Sequence, residues 1–193
     1  MQIAIIQGHP DPNGAHYAHA LAEAYGAAAR DAGREVRVIA VAGLEFPWLR
    51  TREDFESGAV APAIRRAQHT LEWANHLLII FPLWHGTMPA LLKAFFEQTF
   101  RPGFSMAHGG AGAAPKRLLK GKSARIVVTM GVPALLYRWY FGAYGVKSLE
   151  RSILGWSGIA PIRTNFIGSI DDHDAERRRR WLERLRRWGG QGR

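Results

Sequence analysis

The chain has 193 residues, no cysteine, a hydrophobic share of 47%, a charged share of 22% and a formal net charge of +10. That length suits one domain over residues 1–193 with a sizeable core. The missing cysteines exclude disulfides, thiolate metal sites and a cysteine nucleophile, and no apolar run approaches the ~18 residues of a membrane span.

In chain order, Gln2–Gln7 reads as a short apolar strand that begins at the N-terminus without a basic leader. The turn formers Gly8-His-Pro-Asp-Pro-Asn-Gly-Ala15 follow it. An Ala-rich helix runs from about His16 to Asp31, with Gly33 as its stop, and Glu35–Ala40 is a second strand. Residues 42–61 are less regular, and Arg52–Glu56 reads as a polar turn. A helix from about Pro62 to Ala74 leads to Leu77–Phe81, an unbroken apolar run of the kind a strand buried on both faces shows. The pattern breaks at Pro82, passes through Trp84-His85-Gly86-Thr87, and resumes with helical spacing from Pro89.

Residues 99–122 form a long loop centred on Gly109–Pro115, and a loop of that length in a compact domain is usually functional. Ser123–Thr129 is the fourth strand, followed by the turn Met130–Pro133 and the aromatic stretch Tyr137–Tyr144. Gly145–Gly155 has helical spacing, Ile159–Ile167 contains the fifth strand, and Asp174 can cap a last helix. That helix carries Trp181, Leu182, Leu185 and Trp188 on one stripe. It also holds most of the excess arginine, read as its solvated face, with a nucleic-acid or membrane surface as the alternative.

Strands alternating with helices predict an α/β fold, a doubly wound five-stranded parallel sheet of order 2-1-3-4-5 with helices on both faces. In that order strands 1, 3 and 4 are neighbours, so loops 8–16, 82–87 and 129–137 share the carboxyl edge where ligands bind. The first loop ends at a helix N-terminus, an anion site of free N–H groups, with His9, Asn13 and His16 as further donors and Gly14 allowing close approach. Trp84 and Tyr137 suit a flat heterocycle. The alternatives at each position are a plain turn, surface histidines and aromatic core filling. The G-x-G-x-x-G, P-loop and G-x-S-x-G motifs are all missing, and His69, His76, His85 and His108 lack metal-ligand spacing with carboxylates. The acidic run Asp171, Asp172, Asp174 is accounted for by capping.

Gly8-His-Pro-x-Pro before a helix, Ile80-Phe-Pro-Leu-Trp-His-Gly-Thr-Met-Pro-Ala-Leu-Leu-Lys93, Phe46-Pro47, Thr129-Met-Gly-Val-Pro and Tyr137-Arg-Trp together resemble the NAD(P)H:quinone oxidoreductase family of flavodoxin-like flavoproteins. The resemblance implies a non-covalent FMN or FAD in a homodimer with flavin at the interface. It implies the flavin phosphate on His9, Asn13, Gly14, Ala15 and His16, and the ring against Pro82, Leu83, Trp84, His85, Gly86, Thr129, Met130, Gly131 and Val132. The 99–122 loop, long enough to cover an adenine, inclines the choice toward FAD. NAD(P)H is the implied reductant and a quinone-like molecule the acceptor, in ping-pong order, with Tyr137 as the catalytic side chain. The histidine that follows this tyrosine in relatives is absent from Phe141-Gly-Ala-Tyr144. The expected setting is cytoplasmic, with no metal, no nucleic acid and no stable membrane insertion. The alternative is a regulatory flavoprotein subunit of a potassium-efflux type membrane system.

Overall fold

A computed structural model of the chain describes residues 1–107 and 115–193. Residues 108–114, part of the loop expected to reach over an adenine, lie outside the described residues. The parallel sheet contains β1 (Gln2–Gln7), β2 (Glu35–Ala40), β3 (His76–Pro82), β6 (Ser123–Thr129) and β7 (Ile162–Ile167), in the order β2-β1-β3-β6-β7. This is the expected 2-1-3-4-5 order once the antiparallel ribbon of β4 (Met106–Ala107) and β5 (Lys116–Arg117), which the sequence did not announce, is set apart.

β3 is the axis of the sheet. All its residues are buried, and it is bonded on one side to β1, with Ile3 opposite His76, and on the other to β6, with Pro82 opposite Thr129. Because successive side chains point to opposite faces, the strands supply two cores. Ile3, Ile5, Leu78, Ile80, Val127 and Ile167 pack under α1 (Tyr17–Asp31) and α7 (Ala175–Gln191). Ala4, Ile6, Leu77, Ile79, Phe81, Ile126 and Val128 pack under α3 (Pro62–Trp73) and α4 (Ala90–Thr99). α7 docks through Leu185, with Trp181, Leu182 and Trp188 beside it, and Asp174 caps it by accepting from the Arg177 N–H at 2.6 Å. Its close fit on α1 depends on Gly189, where an added Cβ would overlap the Tyr25 carbonyl oxygen.

Three stretches differ from the sequence reading. Arg52–Glu56 is a short helix, α2, rather than a turn: Thr51 Oγ1 accepts from the Asp54 N–H at 3.0 Å while Asp54 Oδ2 accepts from the Thr51 N–H at 3.0 Å, a capping box. The buried Arg101 then gathers the carbonyls of Asp54, Phe55, Gly58 and Ala59 around its guanidinium. The aromatic stretch starts with a helix, α5 (Ala134–Trp139). Gly145–Gly155 is not one α-helix but α6 (Tyr144–Ser148) running into π-helical turns over Leu149–Gly155. There Gly155 lies against the Glu150 carbonyl, where a Cβ would come within 2.9 Å.

His76 opens β3 inside the protein, its Nδ1 2.7 Å from Ser123 Oγ. Burial, aided by the charges of Arg125 and Arg163, lowers its pKa to about 4. The unfolded chain binds this proton below about pH 6.5 and the folded chain does not, so stability falls as pH drops from about 6.5 to about 4, by up to ~3 kcal/mol. Denaturation curves across that window should be flatter for His76→Gln than for the parent. The Gly189 contact gives a second expectation. Gly189→Ala should lower stability by about 1–3 kcal/mol through forced backbone movement. Gly190→Ala, whose Cβ meets its nearest neighbour at an ordinary 3.9 Å, should be neutral or stabilise by about 0.5–1 kcal/mol.

Candidate active site at the carboxyl edge of the sheet

Three parallel neighbours, β1, β3 and β6, send their following loops out at one edge. After β1, the Gly8 N–H donates to the Ile80 carbonyl at 2.8 Å, and the chain then folds on itself. The Asp11 N–H donates to His9 Nδ1 at 3.1 Å, the Asn13 N–H to Asp11 Oδ1 at 2.9 Å, and Gly14 turns the backbone with φ +73°. His16 is the N-cap of α1 but gives no side-chain cap; its ring is bonded to Asp11 instead, Nε2 to Oδ2 at 2.7 Å. The N–H groups of Tyr17 and Ala18 therefore find no acceptor among the described residues, which leaves the positive end of α1 open to an anion.

After β3, Trp84 and Thr87 exchange two backbone hydrogen bonds of 2.9 Å, and both residues between them have positive φ, His85 at 46° and Gly86 at 78°. That is the signature of a type I′ turn, in which histidine is tolerated better than most side chains. The Gly86 carbonyl accepts the Tyr137 hydroxyl at 2.9 Å. α6 presses on the same turn through Gly145, where a Cβ would overlap the Gly86 oxygen and come within 2.7 Å of Thr87 Cβ. Tyr137 is buried at 2% exposure, edge-on to Phe166, and burial raises its phenol above the ordinary value, so it stays protonated at neutral pH. After β6, the Met130 N–H returns to the Ile167 carbonyl at 2.9 Å, whereas those of Gly131 and Val132 donate to no group among the described residues.

Leu83, His85, Gly86, Met130, Gly131, Val132, Tyr137 and Phe141 enclose a cleft of about 590 Å³. Seven of these eight are residues singled out from the sequence; Phe141 was placed only in an aromatic stretch. Pro82 and Thr129 pair across the strand ends. His9, Asn13, Gly14, Ala15 and His16 share the β1–α1 loop. Trp84, 49% exposed, is held in the turn and is not among the residues lining the cleft. One residue near the site went unread in the sequence, and another was assigned only to capping. His19 lies one turn after His16 and joins its ring cluster, and Asp171 sets a carboxylate oxygen 2.9 Å from where a Gly131 Cβ would be. Capping explains Asp174 in the acidic run but not Asp171.

The sheet order is that of a flavodoxin-like protein. The chain matches the flavodoxin-like fold family over residues 1–188 and belongs to it. It is 28% identical over 184 residues to the ribosyldihydronicotinamide dehydrogenase-like protein traD of Penicillium crustosum, covering 80% of this chain and 65% of that one. It is 31% identical over 104 residues to an FMN-dependent NADH:quinone oxidoreductase of Lachnoclostridium phytofermentans, covering 51% of this chain and 46% of that one. The chain thus spans less than two thirds of either curated relative's length. Among solved structures, the NAD(P)H:quinone oxidoreductase from Methanothermobacter marburgensis superposes with a TM-score of 0.77 at 20% identity, over 98% of this chain and 96% of that one, a likeness of fold.

The residues fit a flavin nucleotide on two structural counts. The cleft is walled mainly by apolar side chains and has unpaired N–H groups at Gly131 and Val132 on one wall. The β1–α1 loop leads into the first turn of α1, whose Tyr17 and Ala18 amides have no acceptor among the described residues. Described helices include none long and apolar enough to cross a membrane.

The Gly86 carbonyl makes the cleft testable by denaturation. Tyr137→Phe keeps the packing and removes one hydrogen bond, so it should cost about 1 kcal/mol. Gly145→Ala must push α6 off the turn and should cost more; equal stability of the two variants would contradict this geometry.

Proposed function

We propose that the chain is a flavin-dependent NAD(P)H oxidoreductase that reduces quinones, or electrophiles of that kind, by two electrons in ping-pong order. The observation that carries this reading is the apolar cleft between turn 84–87 and loop 130–133, with unpaired amides on its wall, at the same sheet edge as an anion-ready helix start. The names of the curated relatives support it: one is called an FMN-dependent NADH:quinone oxidoreductase and the other a ribosyldihydronicotinamide dehydrogenase-like protein.

On this reading His9, Asn13, Gly14, Ala15 and His16 hold the flavin phosphate, and Pro82 to Gly86 with Thr129 to Val132 hold the ring. A bound flavin supplies the two-electron hydride chemistry that no side chain of the chain provides. The protein's part is to orient and to stabilise charge. The Gly131 and Val132 N–H groups are fixed donors for negative charge on the ring, and fixed donors need no reorganisation when that charge develops. Tyr137 keeps its proton through burial and is the proposed donor to the reduced acceptor, its hydroxyl turning from the Gly86 carbonyl. The apolar walls at Leu83, Met130, Val132 and Phe141 exclude water from that transfer.

Leu135, Trp139, Tyr140 and Tyr144, between 70% and 79% exposed, form a face beside the cleft that a second copy would cover. A homodimer of this kind supports the expected interface site. A reductant generated inside cells is compatible with the expected cytoplasmic setting.

Initial rates with NADH or NADPH against a soluble quinone should give parallel double-reciprocal lines. Tyr137→Phe should lower kcat/KM for the quinone roughly tenfold or more, in the range of lost acid catalysis, with the nucleotide half-reaction little changed. Intersecting lines, or an unaltered quinone half-reaction in the variant, would contradict the proposal.

A further inference from the structure

The segment after β7 lies against the 130–132 wall of the cleft, and the backbone fixes it there. The Ser169 N–H donates to the Val132 carbonyl at 3.0 Å and the Ile170 N–H to the Met130 carbonyl at 3.2 Å. Ser169 turns the chain with φ +53°, and the Asp172 N–H returns to the Ser169 carbonyl at 3.1 Å in a short 3₁₀ turn. Further on, His173 Nε2 is 3.0 Å from the Gly168 carbonyl oxygen, and Arg178 donates to the His173 and Ile170 carbonyls. Held in this way, Asp171 sets its Oδ2 beside Gly131, 2.9 Å from where a Cβ would be. A side chain at residue 131 would displace that carboxylate. Among the described residues Asp171 takes part in no hydrogen bond or ion pair, whereas Asp174 caps α7 and Asp11 engages His16. Arg178, a cation that reaches the segment, is turned to its carbonyls instead.

An unpaired carboxylate in that place opposes the wall it leans on. A Cβ stands about 2.5 Å from its own backbone nitrogen, so Asp171 Oδ2 is within about 5.5 Å of the Gly131 nitrogen, whose N–H is one of the free donors of the cleft. We infer that Asp171 lowers the reduction potential of the flavin: its negative charge makes a negatively charged ring in the cleft less stable and the reduced cofactor a stronger reductant. This rests on the flavin reading above and deepens it. It extends the acceptors to a lower range of potential than the wall amides alone would allow. Asp171 acts at a distance and touches no reacting atom.

The sign of the effect follows from charge. NAD(P)H passes two electrons and one proton to the ring as hydride and leaves as the oxidised nucleotide, so a neutral ring becomes an anion until solvent supplies a second proton. The Gly131 and Val132 amides favour that anion. The Asp171 carboxylate disfavours it, and acts little on the neutral oxidised ring. A group that accepts from the Gly131 N–H at about 3 Å lies within about 8.5 Å of Oδ2. Asp171 is exposed, and that separation is close to the screening length of about 8 Å at physiological salt. The effect is therefore moderate, about threefold to tenfold in the equilibrium between oxidised and reduced flavin. For a two-electron couple, in which tenfold is about 30 mV, this is about 15–30 mV. Hydride uptake from the nucleotide is disfavoured by that factor, and delivery to the acceptor is favoured by it.

The test is the midpoint potential of the flavin-reconstituted full chain, measured at mildly alkaline pH by reductive equilibration against a reference dye. Parent, Asp171→Asn and Asp172→Asn are compared, and the affinity for oxidised flavin is measured alongside by fluorescence quenching. Asp171→Asn should raise the potential by about 15–30 mV, the equivalent of a threefold to tenfold change, and leave the affinity for oxidised flavin little changed. Its difference from the parent should shrink between about 0.05 M and 0.5 M salt, which a merely structural change would not produce. Asp172→Asn, which removes the same charge one residue on, should shift the potential less. Bound flavin with an unchanged potential in Asp171→Asn overturns the inference while leaving the flavin reading intact. An equal shift in Asp172→Asn overturns the place given to Asp171, and a shift that ignores salt overturns its electrostatic origin. Failure of the parent chain to bind flavin overturns the flavin reading itself.

Discussion

The Gly86 carbonyl oxygen takes the phenolic proton of Tyr137 at 2.9 Å, and the bond fastens the turn after β3 to the helix after β6. Together with the close packing of Gly145 on the same turn, it fixes the width of the cleft between the two loops. The turn can offer that carbonyl because His85 and Gly86 both adopt positive φ, and α6 can close on it because residue 145 has no side chain. One hydrogen bond of ordinary strength, about 1 kcal/mol net, thus sets the position of several cleft-lining residues. A buried phenol whose hydroxyl has a single defined acceptor is also one whose proton has a known starting point, which the proposed chemistry requires.

Beneath that edge the sheet acts as a rigid floor. β3 is buried along its whole length and bonded on both sides, so the turn at its end inherits little freedom. The helices on the two faces contribute unequally to the site. α1 brings its N-terminus and His19, whereas α7 brings the stability of its pairing with α1 and stays away from the cleft. The arginines of α7 are largely engaged locally: Arg179 and Arg180 with Glu176, Arg178 with the His173 and Ile170 carbonyls and over Tyr17, and Arg184 over Trp181. Inside, Arg125 lies 3.9 Å from the Trp188 ring centroid. These contacts agree with the reading of α7 as a docked helix with a solvated charged face.

The sheet and its order were legible because parallel strands buried on both faces produce apolar runs such as Leu77–Phe81, and because Gly33 and Asp174 mark helix ends by their own conformational chemistry. The cleft was legible to the extent that loops of unusual composition fall at one edge. What escaped depends on contacts distant in sequence. α2 was hidden because its capping box uses Asp where the usual pattern has Glu or Gln, and because Arg101, far along the chain, gathers its carbonyls. The π-helical turns over Leu149–Gly155 share the apolar spacing of an α-helix, so periodicity alone does not separate them. Gly145 and His19 carried no local signal: the first matters through a clash with Gly86, the second through two rings brought to it by a turn. Trp84 was assigned to the ring site on its chemistry; that its backbone closes the turn with Thr87 is a geometry its chemistry does not announce.

The central claim, that the cleft between Gly86 and Gly131 works as a two-electron relay through flavin, is tested most directly by an anaerobic titration of the purified, flavin-reconstituted chain. NADH or NADPH is added stepwise while the visible spectrum is recorded, followed by one equivalent of quinone. The account predicts a flavin spectrum that bleaches fully at one equivalent of nucleotide and returns fully with the quinone. A chain that takes up no flavin, or a bound flavin that neither nucleotide bleaches, would contradict it.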